Sequence, residues 1–168
     1  MTPVVSIIMG STSDLPVMRK AADFLNSMEV PFEMLALSAH RTPDEVAEFA
    51  RNAATRGVKA IIAGAGMAAA LPGVIAAITP LPVTGVPLSA PLQGQDALLS
   101  IAQMPPGIPV ATTGIDGAMN AAVLAVRILA ISDTALAARY DAWRADLGKK
   151  IVKANADLSE ITYDFKTN

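Results

Sequence analysis

Three short segments of this 168-residue chain carry most of its usable chemistry: Gly10-Ser11-Thr12-Ser13-Asp14, Ser38-Ala39-His40-Arg41-Thr42-Pro43 and Ala63-Gly64-Ala65-Gly66. The first places hydroxyls and a carboxylate where a strand gives way to a helix. Backbone N–H groups at such a junction, with the helix dipole behind them, hold a phosphate or carboxylate, and Asp14 offers acceptors to ribose hydroxyls. The segment is neither G-x-G-x-x-G nor a Walker loop, since no lysine follows, so the standard dinucleotide and P-loop readings lose support. Simple helix capping, by Ser13 or Asp14, accounts for the same residues.

His40 is the single histidine, and imidazole is the side chain best suited to proton transfer near neutral pH. A neutral imidazole beside the fixed cation of Arg41 suits proton abstraction next to an anionic substrate. Arg41 itself presents a planar fork matched to phosphate or carboxylate. A surface histidine and an exposed helix-start arginine are the plainer alternatives. Residues 64–73 (GAGMAAALPG) have glycines at both ends and almost no side-chain chemistry between. They offer backbone donors and a small apolar pocket, or only tight helix-to-sheet packing. Asn120, at a helix start, is a further group within possible reach of a substrate. The methionines read as scattered core fillers, and Trp143 as a packing or subunit contact.

The elements that must position these segments follow from periodicity. Apolar runs at residues 4–9, 32–37, 58–63, 81–86 and 108–112 predict five strands. Helical patterns fall at 15–28, 44–56, just after Gly66, 95–103, 117–131 and 135–156, with Thr42 and Pro43 as N-cap and N1 of the second. Near-continuous apolar strands separated by helices imply a parallel sheet covered on both faces. The fold expected is a three-layer α/β/α sandwich in a single domain, 1–168, with a core of 1–131 and a C-terminal helix at about 133–156. In such sheets ligands bind beyond the carboxyl ends of the strands, so the three segments converge on one edge.

Composition removes other classes. There is no cysteine, hence no disulfide framework or thiol nucleophile, and one histidine excludes a multi-His metal site. A net charge of −2 offers no basic field to nucleic acid. Mean hydropathy is +0.44, and residues 60–95 carry no charge at all, but prolines and glycines cut that stretch into pieces too short to span a membrane. The first residues show neither a signal peptide nor an anchor, so a cytoplasmic protein is expected. The apolar excess points to contacts between subunits.

Together, MGSTSD at 9–14, SAHRTP at 38–43, AGAG at 63–66, LPG at 71–73, LPVTGVP at 81–87, QMPPGIPVAT at 103–112 and NAA at 120–122 resemble class I N5-carboxyaminoimidazole ribonucleotide mutases of purine biosynthesis. The resemblance covers nearly the whole chain. It implies a flavodoxin-like parallel sheet and a homo-octamer in which the C-terminal helix packs on neighbours. It also implies transfer of a carboxylate from an exocyclic nitrogen to ring carbon C4 through free CO2, with neither metal nor organic cofactor. By motif, Ser11, Asp14 and Arg41 would bind the ribose phosphate, and His40 would shuttle the proton. Backbone at Ala63, Gly64, Ala65 and Gly66 would face the carboxylate or CO2, with Gly10, Ser38 and Leu71 completing the substrate set. The chain departs from the family pattern GAGGAAHLPG, with Met67 for glycine and Ala70 for histidine. Ala70 leaves two alternatives beside the mutase: a carboxylase using CO2 directly, or a ribonucleotide-binding oligomer with an impaired site.

Overall fold

In the computed structural model, which describes residues 1–168, five parallel strands form one sheet in the order β2-β1-β3-β4-β5. The strands are β1 (Val5–Met9), β2 (Phe32–Ala36), β3 (Ala60–Ala65), β4 (Val83–Pro87) and β5 (Ala111–Thr112). The helices are α1 (Leu15–Ser27), α2 (Pro43–Asn52), α3 (Leu71–Ile78), α4 (Gln95–Ala102), α5 (Ala118–Ala130) and α6 (Thr134–Ser159). This is the flavodoxin-like three-layer sandwich that the sequence predicts. The order of strands reverses between β1 and β3, which are paired from Val5 opposite Ala60 to Met9 opposite Gly64.

Period-two alternation sends side chains of each strand to two cores. Val5, Ile7, Met9, Ala60, Ile62 and Val86 pack with α1 and α5 on one face. Ile8, Ile61, Ala63, Ala65 and Val83 pack with α2, α3 and α4 on the other. The three central strands are buried along their whole length, and two-face burial excludes charges from them. The edge strand β2 is only half-buried and carries Glu33, which accepts from the buried Ser6 hydroxyl at 2.7 Å and pairs with Arg56.

Several boundaries differ from the sequence expectation, each for a local reason. Strand β3 runs two residues further, through Gly64 and Ala65. A Cβ on Gly64 would lie 2.5 Å from Met18 Sδ, so the bare glycine lets α1 sit on a strand that continues. Strand β4 begins after Pro82, which has no N–H for the ladder; the Pro82 carbonyl still accepts from Ile61 N–H at 3.0 Å. Strand β5 shrinks to two residues next to Pro109. Helix α6 ends at Ser159 rather than about 156, since nothing between breaks it.

Helix α6 starts on Asp133, whose Oδ1 accepts from Leu136 N–H at 2.9 Å. Leu136 is buried, and Trp143 packs edge-on against Phe24 at 4.9 Å between ring centres. Beyond Trp143 the helix leaves the domain: Leu147, Ile151, Val152 and Leu158 are exposed. On this arm a hydrogen bond from Lys149, and secondarily its charge, holds the Asp146 carboxyl below its ordinary value; the same bond raises Lys149. No helix is long and apolar enough to cross a membrane.

Candidate functional site

The carboxyl ends of β1, β2, β3 and β4 open into one cleft of about 750 Å³ beside the reversal in strand order. From β1 it receives Gly10, Ser11, Ser13 and Asp14, and from β2 Ser38, Ala39, His40 and Arg41. The end of β3 gives Ala65, Gly66, Met67, Ala69, Ala70 and Leu71, and the end of β4 gives Leu88, Ser89, Ala90 and Pro91. Of the residues singled out in the sequence, Gly10, Ser11, Asp14, Ser38, His40, Arg41, Ala65, Gly66 and Leu71 therefore meet in one place. Ala63 and Gly64 do not line it. They are buried within β3, because the strand continues past the point where the sequence suggested a loop. Asn120 is likewise absent from the lining.

The first loop is set by reciprocal hydrogen bonds. Ser11 Oγ accepts from Ser13 N–H at 3.3 Å, and Asp14 Oδ2 accepts from Ser11 N–H at 3.1 Å. Asp14 holds the N-cap position of α1 but makes no side-chain cap bond to that helix; the side-chain cap is supplied by Ser11. Ser11 caps a single 3-10 turn, Thr12–Asp14, that runs directly into α1. Asp14 keeps Oδ1 toward the Ser13 hydroxyl at 3.4 Å.

The second loop is a closed bracket. Thr42 Oγ1 accepts from Ser38 N–H at 2.9 Å and donates to Ser38 O at 3.2 Å. Thr42 sits at the N-cap position of α2 as expected, yet its side chain makes no cap bond to that helix. Its hydroxyl fixes the loop instead. Within the bracket His40 is exposed. Arg41 reaches across to the first loop: one Nη donates to Gly10 O at 2.6 Å, and Nε donates to Ser38 Oγ at 3.3 Å. Arg41 is the one arginine or lysine in the lining, and Asp14 the one carboxylate.

The opposite wall has no charged side chain. Its β3 loop is strained, with Met67 at φ +54° and Ala69 at φ +46°, a region that L-residues enter at a cost. Ala69 N–H donates to Gly66 O at 3.0 Å, and the Ser100 hydroxyl of α4 donates to Ala68 O at 2.5 Å, which pins the loop from both sides. Its β4 loop was not picked out in the sequence. Ser89, Ala90 and Pro91 carry little chemistry by type, and only the topological rule, applied to a fourth strand end, would have found them. That loop is tethered from beyond β5: Asp116 Oδ1 accepts from Ser89 N–H at 2.9 Å, and Asp116 N–H donates to Pro87 O at 2.9 Å.

A polar, singly cationic wall facing an uncharged wall is the arrangement for an anion carrying a flat or apolar group. Asp14 and His40 are the cleft's only side chains of metal-ligand type. Residues 4–150 match the family model described as AIR carboxylase. The chain belongs to the AIR carboxylase family. It is 58% identical over 146 residues to the N5-carboxyaminoimidazole ribonucleotide mutase of Pyrococcus abyssi, covering 86% of this chain and 84% of that protein. It is 52% identical over 160 residues to the phosphoribosylaminoimidazole carboxylase of Schizosaccharomyces pombe, covering 95% of this chain but 29% of that longer protein. The fold superposes on a crystal structure of Treponema denticola PurE with a TM-score of 0.84 at 29% identity, over 93% of this chain and 98% of that one. In this AIR carboxylase family member all of the cleft-lining residues fall within the matched span.

Proposed function

We propose that the protein is an N5-carboxyaminoimidazole ribonucleotide mutase, moving the carboxylate from the exocyclic nitrogen to ring carbon C4. The observation that carries this reading is the juxtaposition of His40 and Arg41 on one wall of a cleft whose other wall is uncharged. Arg41, Ser11, Ser13 and Asp14 bind the ribose phosphate end, with Gly10 and Ser38 as backbone and hydroxyl partners. The ring lies toward Ala65, Gly66, Ala70 and Leu71.

The carbamate N–C bond breaks, its electron pair stays on nitrogen, and nitrogen takes a proton. Carbon C4 then attacks the freed CO2 and holds both a hydrogen and a carboxylate until a base removes the hydrogen. His40 is the one side chain in the cleft suited to give the first proton and take the second. The balance closes with no oxidant or cofactor, and the apolar wall keeps water from the CO2. Replacing His40 by Asn tests this: formation of the 4-carboxy product should vanish while the product nucleotide still binds. Undiminished turnover would remove His40 from the mechanism.

Ala70 favours a second reading, a carboxylase that takes CO2 from solution, since that wall offers no cation to a bound carboxylate. Supplying either the N5-carboxylated nucleotide or its decarboxylated form with CO2 separates the two, and conversion from free CO2 alone would sink the mutase reading.

We further infer a cytoplasmic homo-octamer built from one domain: residues 1–131 form the catalytic core and α6 with its tail forms the assembly arm. Ile151, Val152, Leu158 and Phe165 are uncovered within the chain, and uncovered apolar surface of this extent calls for a neighbour. Native mass spectrometry at low concentration reads the subunit number, and a monomer would overturn the assembly.

A further inference from the structure

The uncharged wall of the cleft contains one residue unlike the rest. Leu71 and Leu88 are 3% and 4% exposed, Ala65 and Ala69 are buried, and Ala70 and Ala90 carry only a methyl group. Pro91 is rigid. Met67 alone is long, flexible and 61% exposed. It also holds a left-handed backbone at φ +54°, a conformation glycine would adopt without strain. The backbone is kept there from both sides, by the Ala69-to-Gly66 hydrogen bond and by Ser100 on Ala68 O. The loop therefore presents a strained methionine at the cleft where the fold itself needs only a glycine.

Released CO2 is neutral and linear, so no charge or strong hydrogen bond can hold it. Retention between N–C cleavage and attack by C4 depends on closure of the walls around it. The polar wall already carries His40 and Arg41, and the apolar wall has one side chain with enough reach to close. We propose that Met67 is a positioning residue that folds over the bound ring and seals CO2 beside C4. This rests on the mutase reading above, and it deepens that reading by naming what prevents escape of the intermediate.

The test is exchange of carbon-13 from labelled CO2 into the carboxylate of the 4-carboxy product, followed by mass spectrometry of the nucleotide. Exchange requires C4 decarboxylation and then escape of CO2, whichever carboxyl donor the enzyme uses. Met67→Gly should raise the exchange rate on the order of fivefold, about 1 kcal/mol at 25 °C, while the melting temperature holds or rises because backbone strain is relieved. Met67→Leu, which restores an apolar side chain of similar volume, should stay near the unsubstituted protein. A purely structural methionine would instead show a changed melting temperature and unchanged exchange. Unchanged or lowered exchange in Met67→Gly, or an equal rise in Met67→Leu, overturns the proposal. Failure of the unsubstituted protein to convert the N5-carboxylated nucleotide overturns the mutase reading alone, because exchange at the C4 carboxylate still reads Met67. A protein catalysing neither conversion nor exchange removes both.

Discussion

Arg41 is the residue whose removal should separate binding from chemistry. Its guanidinium joins two loops, donating to Gly10 O at 2.6 Å and to Ser38 Oγ at 3.3 Å. Both bonds lie at an exposed site, so together they contribute at most about 1 kcal/mol to stability. The larger effect falls on an anionic ligand. A charge-assisted hydrogen bond to phosphate contributes roughly 1.5–3 kcal/mol, and solvent access places this one near the middle of that range. Arg41→Ala should therefore weaken product-nucleotide binding by about 2 kcal/mol, about thirtyfold. Arg41→Lys keeps the point charge but loses the planar fork, so about half of that loss is expected, near fivefold. Isothermal titration at low and high salt checks both the size and the cause, since the arginine's share must shrink as salt screens it. Arg41→Ala that binds the nucleotide within about twofold of the unsubstituted protein would refute the assignment. So would a loss confined to turnover with binding intact, which would place Arg41 in the chemistry and not in anchoring.

Two other substitutions probe how the site is held. A Cβ at Gly85 would lie 2.4 Å from Ile101 Cγ2 and 3.3 Å from both Pro72 Cβ and Val110 Cγ1. Because Ile101 is buried, Gly85→Ala should cost roughly 1–3 kcal/mol by overpacking and lower the melting temperature by roughly 3–10 °C. Gly64→Ala meets Sδ, Cε and Cγ of the buried Met18 at 2.5, 3.0 and 3.2 Å, but an unbranched methionine repacks more readily than Ile101 and the change should cost less; equal costs in calorimetry would contradict the packing described. Asp116→Ala frees Ser89 N–H and leaves alanine at φ +57°. Loss of about 1 kcal/mol there should raise hydrogen exchange at Ser89 and Ala90 about fivefold, with Asp116→Asn close to the unsubstituted protein because asparagine tolerates the conformation and keeps an acceptor. Unaltered exchange in Asp116→Ala would show that the β4 loop stands without its tether.

What the sequence revealed and what it hid divide along physical lines. The run VVSIIM, the alternation of strands with helices and the three polar segments depend on residue type and period, and those are local. They lead to three of the cleft's four corners, including His40 and Arg41. The end of β3 was misplaced because Gly64 and Ala65 look like a loop by composition. Their place in the strand is decided by pairing with Met9 of β1 and with Val86 and Pro87 of β4, partners distant in the chain that no window can see. Thr42 reads as a cap from its type and its proline neighbour, yet Ser38 competes for the same hydroxyl and wins. Met67 reads both as one of the core-filling methionines and as a departure from the glycine of the family pattern, which hints at its backbone but reports neither φ nor exposure. Its left-handed backbone and exposure become visible only once β3 and α3 fix the two ends of the loop. The β4 loop was missed for a related reason: Ser89-Ala90-Pro91 acts by shape and by its tether to Asp116, not by reactive side chains.

The charge-free stretch at residues 60–95 has two causes, and the cleft shows why they coincide. Strands β3 and β4 are buried on both faces, so charges within them would lack partners. In their loops Met67, Ala68, Ser89 and Pro91 reach the surface, where charge would cost little, and still carry none. Burial cannot explain that second absence. Every charged side chain of the cleft comes instead from the ends of β1 and β2. A phosphate needs the polar wall, whereas a neutral CO2 intermediate needs a wall that neither binds its carboxylate precursor too firmly nor admits water. Under the proposed function, the asymmetry of charge along the chain matches the asymmetry of the reaction across the cleft. The same reasoning predicts that, within the uncharged wall, a new charge at Ala70 or Met67 lowers turnover, which a steady-state assay of Ala70→Asp and Met67→Asp checks.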